Sequence, residues 1–392
     1  YVNKIKDLGF KIYATSKWLN HVVVYSEDST LIEKAEQLSF VKKYSKNKIN
    51  KKKKIKKRKL KDINIDVKPD IETKLDYGYG EKQVEMLTLQ NLHNKGFMGQ
   101  GMQIAVLDAG FFNVDSLAGF DSIRVNKQIL GIKDFVKRDS DVYEDATHGM
   151  SVLSTIAANL PGKLVGTAPK ANFWLLRTED EHSETLVEEY YWLSAAEYAD
   201  SIGADMIHSS LGYNDFDDTL TSHTYKEMNG DVAICSIAAD IASSKGILVT
   251  TSAGNEGNDP WHYISAPGDA DSVLTVGAVT SSGNVSSFSS RGPSSDGRIK
   301  PDVMAQGSYT WVLGRRSGVT VSSGTSFSGP IIAGAVACLW QANPQFSNME
   351  IIDAVKKSSD RYTNPDEDYG YGIPNFAKAD LYLKKLLKEK KK

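Results

Sequence analysis

Gly324-Thr325-Ser326-Phe327-Ser328-Gly329-Pro330 leads straight into the apolar run Ile331-Ile332-Ala333-Gly334-Ala335-Val336-Ala337-Cys338-Leu339-Trp340. The run has helix length and carries small residues on a side that a neighbour could approach closely, so a helix is expected to begin near Ser326. Pro330 agrees with this, because backbone donors in a first turn have no intrahelical acceptor and a missing N–H costs little there. At such an end the free N–H groups and the positive end of the helix dipole favour negative charge appearing beside the serine oxygen. That setting suits a nucleophile. Taken alone, the stretch favours the plainer reading of Thr325 or Ser326 as an N-cap. Partners elsewhere in the chain must decide.

The 392 residues are 41% hydrophobic, enough for one large core, or for one domain with a smaller piece attached. No apolar run approaches the roughly 20 residues that span a bilayer, so no membrane span is expected. The chain starts at Tyr1 and shows no basic start followed by an apolar stretch, so any export signal is expected to lie outside this sequence. Cys235 and Cys338 stand in apolar, helix-like segments and read as small core residues. The net charge of -2 hides an asymmetry. Lysines crowd residues 46–61 and 384–392, so the part between them is distinctly acidic.

Outward from the opening stretch, the chain divides into four. Residues 1–45 hold β-rich pieces, Lys11-Ile12-Tyr13 and His21-Val22-Val23-Val24-Tyr25, then an amphipathic segment over 29–38. This is too little chain for a stable core of its own, so it is expected to lean on something larger. Residues 46–75 are lysine-rich and read as a flexible, easily cut linker; no nucleic-acid partner is expected from a basic run without interleaved aromatics. Residues 76–383 alternate buried strands with helical segments, the pattern of an α/β domain with a mostly parallel central sheet. Strands are expected at 103–107, 173–176, 205–207, 247–251 and 273–276, with helices over 186–202 and 232–244. Residues 384–392 read as a basic tail. The polar groups of interest lie where strands end, the edge at which open parallel sheets bind ligands.

Three acyl-transfer candidates stand out: Asp108 after the strand Gln103-Ile104-Ala105-Val106-Leu107, His148 in Ala146-Thr147-His148-Gly149-Met150-Ser151, and Ser326. Singly, each has a plain structural explanation. Together they follow the chain order Asp, His, Ser, which is that of subtilisin itself. The motifs Val106-Leu107-Asp108-Ala109-Gly110, His148-Gly149, Ser210-Leu211-Gly212, Ala253-Gly254-Asn255-Glu256-Gly257, Ser289-Ser290-Arg291-Gly292-Pro293 and Gly324-Thr325-Ser326 stand in family order. On these motifs, over about residues 85–380, the chain resembles the subtilisin-like serine proteases, the subtilase family.

The resemblance implies a subtilisin-like fold and a serine endopeptidase that needs no cofactor and acts on polypeptide substrates. By it, Ser326 is the nucleophile, His148 the general base and then acid, and Asp108 the group that holds the imidazole. Asn255 matches the oxyanion-hole asparagine. Ser210, Leu211 and Gly212, with Ser252, Ala253 and Gly254, match the two walls of the primary specificity pocket. The first wall would also offer a backbone edge for an extended peptide, implying broad specificity with an apolar or medium-sized residue before the scissile bond. Four residues in three places depart from the family pattern: Ala109, Met150-Ser151 and His208. His208 reads as a buried polar residue that needs its own partner and has no catalytic part.

The resemblance further makes 1–45 a partial prodomain that acts as an intramolecular inhibitor, with Phe40-Val41-Lys42-Lys43-Tyr44 as a tail in the cleft. The enzyme would then be a secreted or cell-surface zymogen that cuts itself between about residues 44 and 61. The acidic loops offer oxygen ligands for structural calcium, but no ligand pattern assigns a metal site. Glu179-Asp180-Glu181-His182-Ser183-Glu184 reads first as a solvated loop, and more sharply as an attractor of basic peptide residues. The alternative function from another class is a catalytically silent, subtilase-like peptide-binding module.

Overall fold

The computed structural model describes residues 1–390 apart from 27, 29, 45–74, 140, 145 and 317. The expected linker lies outside these residues except for residue 75. Ahead of it, α1 (Val2–Asp7), β1 (Lys11–Ser16), β2 (His21–Tyr25) and α2 (Thr30–Glu36) form a small α+β piece with an antiparallel hairpin. α1 has six residues, too few to show a helical period in the sequence.

The main sheet contains β3 (Gln103–Asp108), β4 (Ile129–Asp134), β5 (Asn172–Arg177), β6 (Met206–Ser209), β7 (Leu248–Ser252), β8 (Leu274–Val279) and β9 (Val303–Gln306). Their order is β9-β8-β7-β6-β3-β5-β4, and every neighbouring pair is parallel. After β4 and β5 on one side of β3, the chain crosses to β6 on the other, so the order turns at β3. The C-terminal end of that strand is Asp108. Such a switch point leaves a crevice where loops from both directions meet.

Side chains alternate across a strand, and β3 uses both faces. Ile104 and Val106 pack with α3 (Thr147–Ala157) and α6 (Thr325–Ala342), while Ala105 and Leu107 pack with α4 (Val187–Ser201) and α5 (Ile234–Ser244). Every residue of α6 from Thr325 to Leu339 is buried, as expected of a helix apolar all round. The small-residue side has a concrete use at Gly334, where a Cβ would stand 2.1 Å from Thr167 Oγ1. α6 is thus held against the segment leading to β5, and its first turn is delivered to the sheet edge.

Two expectations change. Residues 384–390 complete α7 (Phe376–Lys390) and are not a separate tail: Leu383 is buried and Lys384 Nζ is 2.7 Å from Asp380 one turn earlier. The charge run masked a helix whose apolar face packs on the core. The cleft-bound tail is also not seen. Val41 N–H donates to Leu38 O at 2.9 Å, and among the described residues no hydrogen bond joins 40–44 to Ser210–Gly212.

The N-terminal piece rests on α4 instead. Glu197 accepts from Ser16 Oγ, from Lys17 N at 2.9 Å and from Trp18 N at 3.0 Å. Trp18 and Leu19 also pack beside the α4–α5 core. One carboxylate takes three donors at the β1–β2 turn, and Leu19 N–H donates to Ser16 Oγ at 2.9 Å.

Candidate active site

Asp108 closes β3 with its side chain fully buried. Its Oδ1 accepts from Ala109 N at 2.8 Å and from His148 Nδ1 at 2.8 Å. Oδ2 is buried and makes no hydrogen bond among the described residues. His148 is the second residue of α3, a helix brought against β3 by Gly149: a Cβ there would lie 2.3 Å from Gly110 O and 2.8 Å from Asp108 Cβ. No larger residue allows that approach.

A carboxylate only accepts, so the proton of this hydrogen bond resides on His148 Nδ1 and Nε2 carries the lone pair. Burial lowers the imidazole pKa, and the charge and hydrogen bond of Asp108 more than offset it, leaving the pKa above its ordinary value. The ring is 38% exposed, which limits the burial effect. His148 is therefore a somewhat stronger base than a free histidine and remains open to solvent.

Gly324 is the N-cap of α6 and provides no side-chain cap, so Thr325 and Ser326 are not caps. The capping acceptor comes from another loop: Asn255 Oδ1 accepts from Thr325 N at 2.8 Å. This fixes the amide's orientation, since an N–H must face the oxygen, and among the described residues Nδ2 has no hydrogen bond. Thr325 Oγ1 lies 3.1 Å from both Gly254 O and Asn255 Oδ1, and Ser252 Oγ donates to Thr325 O at 2.9 Å. Thr325 is the hub that joins the loop after β7 to the helix. Sequence reading named it only as an N-cap candidate, and its place in Gly-Thr-Ser was the signal for this wider part.

Ser326 is 7% exposed, and its hydroxyl donates to Ser210 O at 3.3 Å. Among the described residues it has no hydrogen bond to His148, although the His148 ring and the Phe327 ring beside it are 6.1 Å apart. Ser210 and Leu211 are buried and Gly212 is exposed; the backbone groups of Leu211 and Gly212 make no hydrogen bond among the described residues. Ser252, Ala253 and Gly254 are all buried, with Ala253 N–H donating to Val276 O at 3.0 Å. The ten candidate residues thus surround the ends of β3, β6 and β7 and the first turn of α6. Three pairs are joined directly: Asp108 with His148, Ser326 with Ser210, and Ser252 with Ser210 through a long contact of 3.5 Å between their hydroxyls.

The acidic loop is only partly solvated. Glu181 and His182 are exposed, but Glu188 is buried and accepts from Asp180 N at 3.0 Å and Thr185 N at 2.7 Å. Burial and the charges of Glu184, Asp108 and Glu188 hold Glu179 well above the usual carboxylate range. Burial, then Glu188, Asp217 and Asp215, push Glu184 up to about 7. Among the described residues no group of three or more His, Cys, Asp or Glu is arranged to hold a metal ion, and no helix is long and apolar enough to cross a membrane.

A parallel α/β sheet with serine, histidine and carboxylate gathered at its switch point defines a class, that of the serine hydrolases built on such sheets. The family model described as the subtilase family matches residues 99–372, and the chain belongs to that family. A second model, the peptidase S8 propeptide domain of Bacteroidota, matches residues 1–62, beyond the boundary expected at 45. Serine protease AprX of Bacillus subtilis is 29% identical over 343 residues, covering 80% of this chain and 72% of the relative. Subtilisin E of the same species is 30% identical over 307 residues, covering 77% and 70%. The crystal structure of MycP1 from the ESX-1 type VII secretion system aligns with a TM-score of 0.60 at 19% identity, over 81% of this chain and 90% of that one. A protease from Pseudoalteromonas arctica aligns with a TM-score of 0.60 at 21% identity, over 79% and 99%. By family and relatives, the chain is a subtilase-family serine protease.

Proposed function

We propose that this chain is a serine endopeptidase that cleaves extended polypeptides through Asp108, His148 and Ser326, with an acyl-enzyme intermediate. The observation that carries the reading is the 2.8 Å hydrogen bond from His148 Nδ1 to buried Asp108. It leaves Nε2 as the free base of a ring that lies 6.1 Å from the ring of Phe327, in the turn that bears Ser326. Rotation of Ser326 Oγ away from Ser210 O toward Nε2 passes its proton to His148 as Oγ attacks the peptide carbonyl. Negative charge then grows on the carbonyl oxygen, where the Ser326 N–H and Asn255 Nδ2 are donors with no partner among the described residues. His148 returns the proton to the leaving amine, and water repeats the sequence to free the acyl group. The unpaired backbone of Leu211 and Gly212 supports strand-like binding of the substrate.

The N-terminal segment is proposed to act as an intramolecular inhibitor of a secreted or cell-surface zymogen, supported by the propeptide-domain match and the docking of β1–β2 on α4. Crowded carboxylates at Glu179, Glu184 and Glu188 support a preference for basic residues upstream of the cut. The other reading, a catalytically silent binding module, is not favoured by the family and the relatives. A fluorophosphonate separates the two readings. The enzyme is labelled at Ser326 and hydrolyses casein; the silent module does neither.

A further inference from the structure

The carbonyl of Ser326 poses a local problem. In an α-helix it would accept from the N–H four residues on, but that residue is Pro330, which has none. The missing donor comes from outside the helix: Ser210 Oγ donates to Ser326 O at 3.0 Å. Behind Ser210 lies His208, fully buried, with Nε2 2.9 Å from Ser210 Oγ and Nδ1 2.9 Å from Thr250 Oγ1. The proton directions follow from counting hydrogens. Ser210 has one, given to Ser326 O, so His208 Nε2 must be the donor to Ser210 Oγ. Nδ1 is then an acceptor, and Thr250 Oγ1 donates to it. For a neutral ring the chain runs Thr250 to His208 to Ser210 to Ser326 with the proton at Nε2; Thr250 Oγ1 also lies 3.3 Å from Ile207 O, the acceptor its proton would take if Nδ1 were protonated as well.

We propose that His208 is a positioning residue for the nucleophile, holding Ser210 so that its hydroxyl secures the Ser326 backbone while its carbonyl meets the Ser326 hydroxyl. The inference rests on Ser326 being the nucleophile. Burial, then the nearby charge of His148, push the His208 pKa down to about 3, so the neutral form persists across working pH. The groups facing the ring are Thr250, Ser210 and the backbone of α6 at Gly329, where a Cβ would stand 3.0 Å from His208 Cε1. These three are uncharged, and His148 is the charged group that acts on the ring. The helix thus approaches the ring closely at the turn that bears Ser326, and a change at 208 is felt there.

The test uses the full chain and measures the second-order rate of fluorophosphonate labelling at Ser326 per folded molecule, counted by circular dichroism. His208→Leu removes both hydrogen bonds and is expected to slow labelling about tenfold or more, because small displacements of a reacting atom are costly. His208→Asn, with an amide donor and a carbonyl acceptor, is expected to restore most of the rate. Pro330→Ala supplies the Ser326 carbonyl with a donor from within the helix and is expected to lessen the loss caused by His208→Leu in the double variant. The acid limb of the pH profile should not move in any of them, since His148 is unaltered. Thr250→Val, a milder change at the far end of the chain, serves if His208→Leu does not fold, with a several-fold slowing expected. Wild-type labelling rates in His208→Leu, or in Thr250→Val if that is the variant that folds, overturn the proposal. Absence of labelling in the wild type overturns the nucleophile assignment instead.

Discussion

At Asn255 one side-chain atom has a structural task, and the other makes no hydrogen bond among the described residues. Oδ1 holds the Thr325 N–H, so replacing Asn255 with Ala removes both a helix cap and a proposed oxyanion donor. Asn255→Ala is expected to lower kcat about 10²–10³-fold with little change in KM, equivalent to about 2.7–4 kcal/mol, a size measured on subtilisin itself. Steady-state kinetics on a chromogenic peptide checks it; a change confined to KM would contradict the role. Asp108 affects both the orientation and the basicity of His148. Since Asp108 raises the imidazole pKa, the acid limb of kcat/KM should lie above that of a free histidine, with activity lost as pH falls through it. Asp108→Asn is expected to move that limb to lower pH and to cut kcat by about 10⁴. The stability contribution has the opposite sense: it is full below the unfolded value of 6.5 and is lost as pH rises through the folded one.

At the scale of elements, the entry to α4 is a carboxylate cluster whose members resist ionisation. Glu184 has a folded pKa of about 7 against an ordinary value of 4.5, so between these pH values the folded state keeps a proton that the unfolded chain has released. Stability from this group is therefore lost as pH rises from 4.5 toward 7. Glu184→Gln, which does not titrate, is expected to flatten that part of the thermal-midpoint profile. It should also reduce any preference for Lys or Arg upstream of the cut, a preference expected to be stronger at pH 8 than at pH 6. Peptide series at both pH values provide the check, and indifference to charge at low salt would reject the subsite. The elements themselves were legible where period and length were strong. Helices 186–202 and 232–244 are observed as Val187–Ser201 and Ile234–Ser244, and the strand 103–107 as Gln103–Asp108. α3, which carries His148, was not anticipated: Gly149 interrupts its first turn, and its value comes from the contact with Asp108, not from helix propensity.

Over the whole molecule, a folded N-terminal piece is tied to α4 through Glu197 and leads into lysine-rich chain ahead of the catalytic domain. Self-cleavage between about residues 44 and 61 is expected, and intact-mass measurement after long incubation should show a shortened wild type beside a full-length Ser326→Ala. Equal full-length masses would count against it. By itself the sequence determined the parallel α/β class, the family, the chain order Asp108, His148, Ser326 and the helix that begins at Thr325. These are written in local periods and in short motifs whose residue types are the chemistry. Only the tertiary structure decided which atoms pair: Asn255 with Thr325, the Ser326 hydroxyl with Ser210 O, and His208 with Ser210, whose hydroxyl reaches the carbonyl that Pro330 leaves without a donor. Hydrogen bonds between residues 70 to 116 positions apart leave no period along the chain, because their partners become neighbours only when the strands align and α6 meets their ends.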